Sequence, residues 1–339
     1  MKLHKFIFSL VLLGFVLPGY GVNFSEYMAS RYKFLFVEKL PSHSDNKTLI
    51  ISCRYFKPDE NYSQKRGVQP RYRMFLFIAG TIGDSAYVMP VKTMDEAARY
   101  LPENRDFLVY VDGHGKTFDQ VLERGFELSG RFNINMVVFD WPTNYLALRK
   151  TAYAADEVAV NFVVAMNKLS ALREIYYPSS AVSAIFHSMG NHILKNITNK
   201  HLLKYMPENL FSNLILNAAA VKQGNHARWV DKLSLQKRIY ITINHDDRTL
   251  KGAKILRLAN QLGLGYKGRT AANAQYVNFS QVASTEHNLF LGKSKAEKEN
   301  QYIYGFYDQA FHGKAVNFNN ETAYQILSPS EINLRFSLR

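Results

Sequence analysis

Short apolar runs of four to eight residues recur along the chain between longer stretches of helical spacing, and this alternation constrains the fold more than any other feature. The runs read as strands at Leu49–Cys53, Met74–Ile78, Phe107–Val111, Met136–Phe139, Val182–Phe186, Leu214–Asn217, Ile239–Ile243 and Tyr276–Phe279. Several are continuously apolar, the pattern of strands buried on both faces of a parallel sheet. Between them, Phe118, Val121, Leu122, Gly125 and Phe126 share one helical face, and Val158, Phe162, Ala165, Leu169 and Leu172 repeat at helical spacing. Ile193, Leu194 and Ile197 mark a third helix and residues 251–262 a fourth. Strand-helix-strand order with right-handed crossovers predicts an α/β fold: one doubly wound, mostly parallel sheet with helices on both faces. The polar segment 58–72 reads as a loop. The tail after Gly292 has no pattern that assigns it a role. No internal repeat appears, which disfavours solenoids and propellers.

Residues 1–21 read as an export signal: Lys2 and Lys5 open it, an apolar run spans Phe6 to Leu17, and small Gly19 and Gly21 precede a cleavage point. The run falls short of the roughly 20 residues that a membrane-spanning helix needs. The expected mature chain, 22–339, is one domain, exported to a periplasm or beyond. Its one cysteine, Cys53, permits no internal disulfide and no thiolate metal cluster, and it reads as a buried inert thiol. The net charge of +14 is scattered rather than gathered in a run. That disfavours nucleic acid as a partner and leaves weak attraction to an anionic membrane surface.

The sharpest local signal is Val182-Ser183-Ala184-Ile185-Phe186-His187-Ser188-Met189-Gly190-Asn191, an apolar strand that meets a serine and enters a helix. A nucleophilic serine on such a strained turn needs small neighbours, which Gly190 supplies and Phe186 does not. Without a base to take its proton and an acid to hold that base, a serine hydroxyl is a poor nucleophile. Asp247 follows the strand Ile239–Ile243 and His287 follows Tyr276–Phe279, the order serine, acid, histidine. Asp246 competes for the acid role, and spacing does not separate the two. His245, His226 and His312 are weaker candidates for the base; His187 is expected to shape the turn, and Glu286 to be a surface charge. Backbone donors for an oxyanion are expected from Met189 and from Gly113 or His114 in Asp112-Gly113-His114-Gly115.

These segments, with Val138-Phe139-Asp140-Trp141-Pro142, resemble the α/β-hydrolase superfamily. Over Phe107 to Phe290 they are similar in particular to its mostly bacterial family of uncharacterised, esterase-like hydrolases, which pairs a His-Gly loop, a Trp-Pro step and a His-Ser-Met-Gly-Asn elbow. The resemblance implies the α/β-hydrolase fold and hydrolysis of esters or related acyl compounds through an acyl-enzyme, with small-molecule or lipid esters as substrates. No metal is needed, and no cofactor site is expected, since His and carboxylate clusters at ligand spacing are absent; the resemblance favours Asp247, which Leu250 follows three residues later. Two positions depart from the family pattern. Asp112 stands where the family has His, bringing a negative charge toward an oxyanion site, and Phe186 stands where it has a small residue. They motivate a rival reading, a catalytically inactive member serving as an envelope binding module.

Overall fold

The computed structural model describes residues 30–57, 63–68, 73–143, 148–255 and 260–335. The export signal expected at 1–21 lies outside them. In chain order the strands are β1 (Lys33–Phe36), β2 (Asp45–Ser52), β3 (Arg54–Lys57), β4 (Ser63–Val68), β5 (Phe75–Ile82), β6 (Ser85–Val91), β7 (Phe107–Val111), β8 (Asn135–Asp140), β9 (Val182–His187), β10 (Phe211–Asn217), β11 (Gln236–Ile243), β12 (Ala274–Asn278), β13 (Tyr324–Ser328) and β14 (Glu331–Leu334). Twelve form one sheet in the order β1-β6-β5-β2-β8-β7-β9-β10-β11-β12-β14-β13, and β3 pairs with β4 apart from it. From β2 through β8, β7 and β9 to β12 all neighbours run parallel; β5 and β6 on one side and β13 on the other add antiparallel strands.

Each expected strand lies within or beside an observed one. The polar segment 58–72 is a correction: its Ser63–Val68 is a strand paired antiparallel with Arg54–Lys57. The tail also has structure, with helices at Lys295–Glu299 and Gln301–Phe311 and the closing hairpin β13–β14.

The two faces of the sheet carry separate cores. Val109, Phe186, Leu216 and Ile241 pack with the helices Ala159–Tyr176 and Asn191–Asn199 on one face. Tyr110, Ile185, Ile215 and Tyr240, their strand neighbours, pack with the helices Phe118–Phe132 and Gln301–Phe311 on the other. Alternation along a strand with both faces covered is why these runs read as uninterrupted apolar sequence. The helix Phe118–Phe132 begins at a capping box of Thr117 and Gln120 and ends at Asn133 in the left-handed conformation. Its buried stripe, including Phe118, Leu122 and Phe126, is worth about 1.5–3 kcal/mol per large side chain. Because β7, β9, β11 and β12 run parallel, the loops that follow them open at one edge of the sheet, with the loop after β9 near the middle.

Candidate functional site

Ser188 follows β9 directly and begins a short 3-10 helix, Ser188–Gly190, that leads into the helix Asn191–Asn199. Its φ of +51° puts a non-glycine residue in the left-handed region, where the strain is of order 1–3 kcal/mol. The surroundings hold it there. Asn191 Nδ2 donates to Phe186 O at 2.7 Å and to Ser188 O at 3.0 Å, and Ala220 N–H also donates to Ser188 O. Gly190 has no alternative, since a Cβ there would stand 2.7 Å from Val111 O and 2.8 Å from Asp112 O. Phe186 points away from the site into the core and meets Phe162 edge-on at 5.3 Å between centroids.

The loop after β7 lies on the serine: a Cβ on Gly113 would fall 2.7 Å from Ser188 Cβ and 3.2 Å from its Oγ. This loop is tied from several sides. Trp141 Nε1–H donates to Asp112 O at 3.1 Å, Arg54 Nη2 to Lys116 O at 2.9 Å, and Gly115 N–H to Thr143 O at 2.6 Å. Buried Arg54 is itself fixed by Asp140, 2.7 Å away. Asp112 is buried with both carboxylate oxygens 2.7 Å from Arg124 Nη1 and accepts the Gly113 N–H at 2.6 Å. Its charge is thus paired below the loop and engages Gly113. Among the described residues the His114 N–H has no protein acceptor, and the Met189 N–H belongs to the first turn of its helix, where donors lack an intrahelical partner. The His114 ring bonds through Nδ1 to Thr151 Oγ1 at 2.7 Å, and burial, aided by Lys116, lowers its pKa.

His287 Nδ1 lies 2.5 Å from Asp247 Oδ2. Asp247 is fully buried and also accepts the Leu250 N–H at 2.9 Å. The acid and histidine loops are stapled together, with Asn244 Nδ2 donating to Ser284 O at 3.0 Å and to Glu286 O at 2.9 Å. The His287 ring packs on the His187 ring with centroids 4.6 Å apart, next to the serine in the chain. Among the described residues the Ser188 hydroxyl makes no hydrogen bond, and unliganded sites often close that contact only around substrate.

The other candidates lie elsewhere. Asp246 is exposed and paired with Lys251 at 2.7 Å. His245 bonds Leu264 O, His226 bonds Gln223 O and Tyr276 OH, and His312 bonds Asp106 and Phe132 O. Burial pushes the Cys53 thiol pKa up, so it stays protonated. Sequence reading missed Arg124, Thr143 and Asn191, whose partners are distant in sequence or are backbone atoms. Only the Asn of the elbow motif offered a signal.

The family model described as "Alpha/beta hydrolase of unknown function (DUF900)" matches residues 94–306. Among solved structures the chain is similar to a bacterial heroin esterase, with 11% identity and TM-score 0.42 over 81% of this chain and 86% of that one. It is also similar to an esterase of Pyrobaculum calidifontis, with 11% identity and TM-score 0.40 over 70% and 82%. Carboxyl esterase 2 of the fungus Tuber melanosporum has 11% identity and TM-score 0.40 over 84% and 92%. No curated protein matches. With more than half of its length matched and the expected sheet in place, the chain belongs to this alpha/beta hydrolase family.

Proposed function

We propose that the chain is an exported serine hydrolase that cleaves carboxylic esters through an acyl-enzyme on Ser188. The observation that carries this reading is His287, with Nδ1 2.5 Å from the buried Asp247 carboxylate and its ring against the elbow that presents Ser188. In the proposed cycle the Ser188 hydroxyl adds to the ester carbonyl carbon and its proton passes to His287 Nε2, while Asp247 holds Nδ1–H and stabilises the imidazolium. The carbonyl oxygen, now an oxyanion, takes hydrogen bonds from the Met189 and His114 N–H groups; Gly113 is engaged by Asp112 and is not assigned. Collapse breaks the ester C–O bond, and the alcohol leaves with the proton from His287. Water then repeats the sequence, releasing the carboxylic acid and restoring Ser188.

The two departures that motivate the inactive reading have physical accounts in this arrangement. Arg124 compensates Asp112, and Phe186 fills the core behind the elbow. Reaction with a fluorophosphonate tests the proposal: Oγ–P bond formation expels fluoride and needs an activated hydroxyl. Labelling that Ser188→Ala abolishes is expected. A folded wild-type protein that stays unlabelled would make the chain a binding module instead. Export rests on residues 1–21 and predicts a mature N-terminus near Val22. Contact with anionic membrane rests on the net charge and predicts salt-sensitive retention on anionic vesicles.

A further inference from the structure

His187 is more heavily organised than a residue needed only to precede the nucleophile. It is buried at the end of β9, directly opposite Asn217 at the end of β10 in the parallel register. Asn217 Nδ2 donates to His187 Nδ1 at 3.0 Å. The direction of that bond is fixed from behind. Asn217 Oδ1 accepts from Tyr307 OH at 2.6 Å and from Thr242 Oγ1 at 3.2 Å, and Thr242 Oγ1 itself accepts the Ala218 N–H. With its oxygen occupied by two hydroxyl donors, the amide presents its NH2 to the imidazole, so Nδ1 must carry a lone pair. A neutral His187 then bears its proton on Nε2. Asn288 stands beside the ring as a side-chain partner that favours the charged form, an effect smaller than that of burial.

The outer face of this locked ring meets His287 at 4.6 Å between centroids, with the planes inclined by 56°, and Phe290 backs it at 5.2 Å. Asp247 fixes one point of the His287 ring through Nδ1, which leaves the ring free to swing about that bond. A wall on one side removes the swing. We propose that His187 is a positioning residue for the reaction assigned above: a neutral imidazole, locked through Asn217 by Thr242 and Tyr307, against which the His287 ring is held in line with Ser188. This rests on the serine-hydrolase reading and adds to it the means by which the base is aimed.

The wall must also stay uncharged, because a cation against His287 opposes formation of the imidazolium. The charged groups that face His187 are His287 itself, Arg124 from the helix Phe118–Phe132 and Lys116 from the loop after β7. The elements carrying Asn217, Thr242 and Tyr307 present neutral groups. Burial first, and then these cations, push the His187 pKa well below its ordinary value. Asp247 is the carboxylate bonded to His287, and no carboxylate is bonded to His187 among the described residues.

Two measurements test this. Long-range 15N–1H spectra of the wild-type protein should show His187 as the Nε2–H neutral tautomer from about pH 8 to about pH 5, across the range in which an ordinary histidine titrates. Hydrolysis of p-nitrophenyl acetate should lose roughly 10- to 100-fold in kcat in His187→Ala, with KM changed less than about threefold, as expected for lost alignment. His187→Phe, which keeps the ring wall, should recover most of that kcat, with circular dichroism establishing that both variants fold. The proposal is overturned if His187 titrates near its ordinary value or carries its proton on Nδ1. It is equally overturned if His187→Ala keeps wild-type kcat, or if folded His187→Phe is no better than His187→Ala. Failure of the underlying reading looks different: the wild type would be inert to both the ester and a fluorophosphonate.

Discussion

Replacing Arg124 by Leu isolates the effect of the negative charge that this chain carries beneath its oxyanion loop. Arg124 Nη1 is 2.7 Å from both Asp112 oxygens and 3.1 Å from Tyr110 OH, and the side chains are 12% and 2% exposed for Arg124 and Asp112. At an effective dielectric of about 20, two unit charges at that separation attract by roughly 6 kcal/mol before desolvation is counted. Most of that offsets the desolvation of the two ions, so the pair itself is weak evidence of net stability. Removing one partner is different, because the carboxylate stays buried without compensation, and such changes cost about 3–5 kcal/mol. The slight exposure of Arg124 places this case near the lower end. Urea unfolding at pH 7, followed by far-UV circular dichroism with the slope m held in common, is the assay. Arg124→Leu should lose about 3 kcal/mol, and adding Asp112→Asn should restore at least half, since the amide oxygen still accepts the Gly113 N–H. Hydrolysis by Arg124→Leu should fall as well, because the unpaired charge opposes the oxyanion. A loss under about 1 kcal/mol, or a double variant no better than the single, refutes the argument.

Other outcomes follow from the same geometry. Asp247→Asn and His287→Ala should each lower kcat by roughly a thousandfold or more, whereas Asp246→Asn, whose exposed carboxylate pairs with Lys251, should stay within about twofold in an ester assay. Ser188→Gly should be more stable than Ser188→Ala by about 1 kcal/mol in urea unfolding, because glycine relieves the φ of +51°. His312 bonds Asp106 through Nδ1 and Phe132 O through Nε2; the Asp106 bond raises its pKa against burial, while that of Asp106 is lowered despite burial. The raised histidine stabilises below its unfolded value near pH 6.5 and loses that contribution as pH rises through its folded pKa. The lowered carboxylate contributes above about pH 4 and loses it as pH falls through its folded pKa. Tm profiles should therefore show His312→Gln weaker than wild type chiefly between about pH 4 and 6.5, with the gap closing at alkaline pH.

What the sequence disclosed depended on whether the deciding interaction was local. Strands such as Phe107–Val111 and Val182–His187 are legible because burial on both faces leaves an unbroken apolar run. β6 is not, because Pro90 interrupts it and a proline inside a strand argues against one until its pairing with Phe77 is seen. β4 and β13 are polar or exposed, so no core-facing pattern announces them. In the site, the elbow and the order of its partners follow from strand-end positions. Asp246 and Asp247 differ only in which way a turn directs each side chain, and the bonds of Asn244 that fix the loop are tertiary. The Asp112–Arg124 pair joins a strand end to a helix and leaves no spacing signature, so Asp112 reads from sequence as an uncompensated charge. His187 looks like a spacer beside the serine until Asn217, Thr242 and Tyr307 appear behind it, brought from two other strands and a helix.

Hydrolysis by the proposed route requires a covalent intermediate on one hydroxyl, that of Ser188. Acid quenching of the protein during turnover of p-nitrophenyl acetate, followed by peptide mapping, should place the acetyl group on Ser188 and show none in Ser188→Ala. Hydrolysis that proceeds with no acylated serine, or with the acetyl group on another residue, would contradict it.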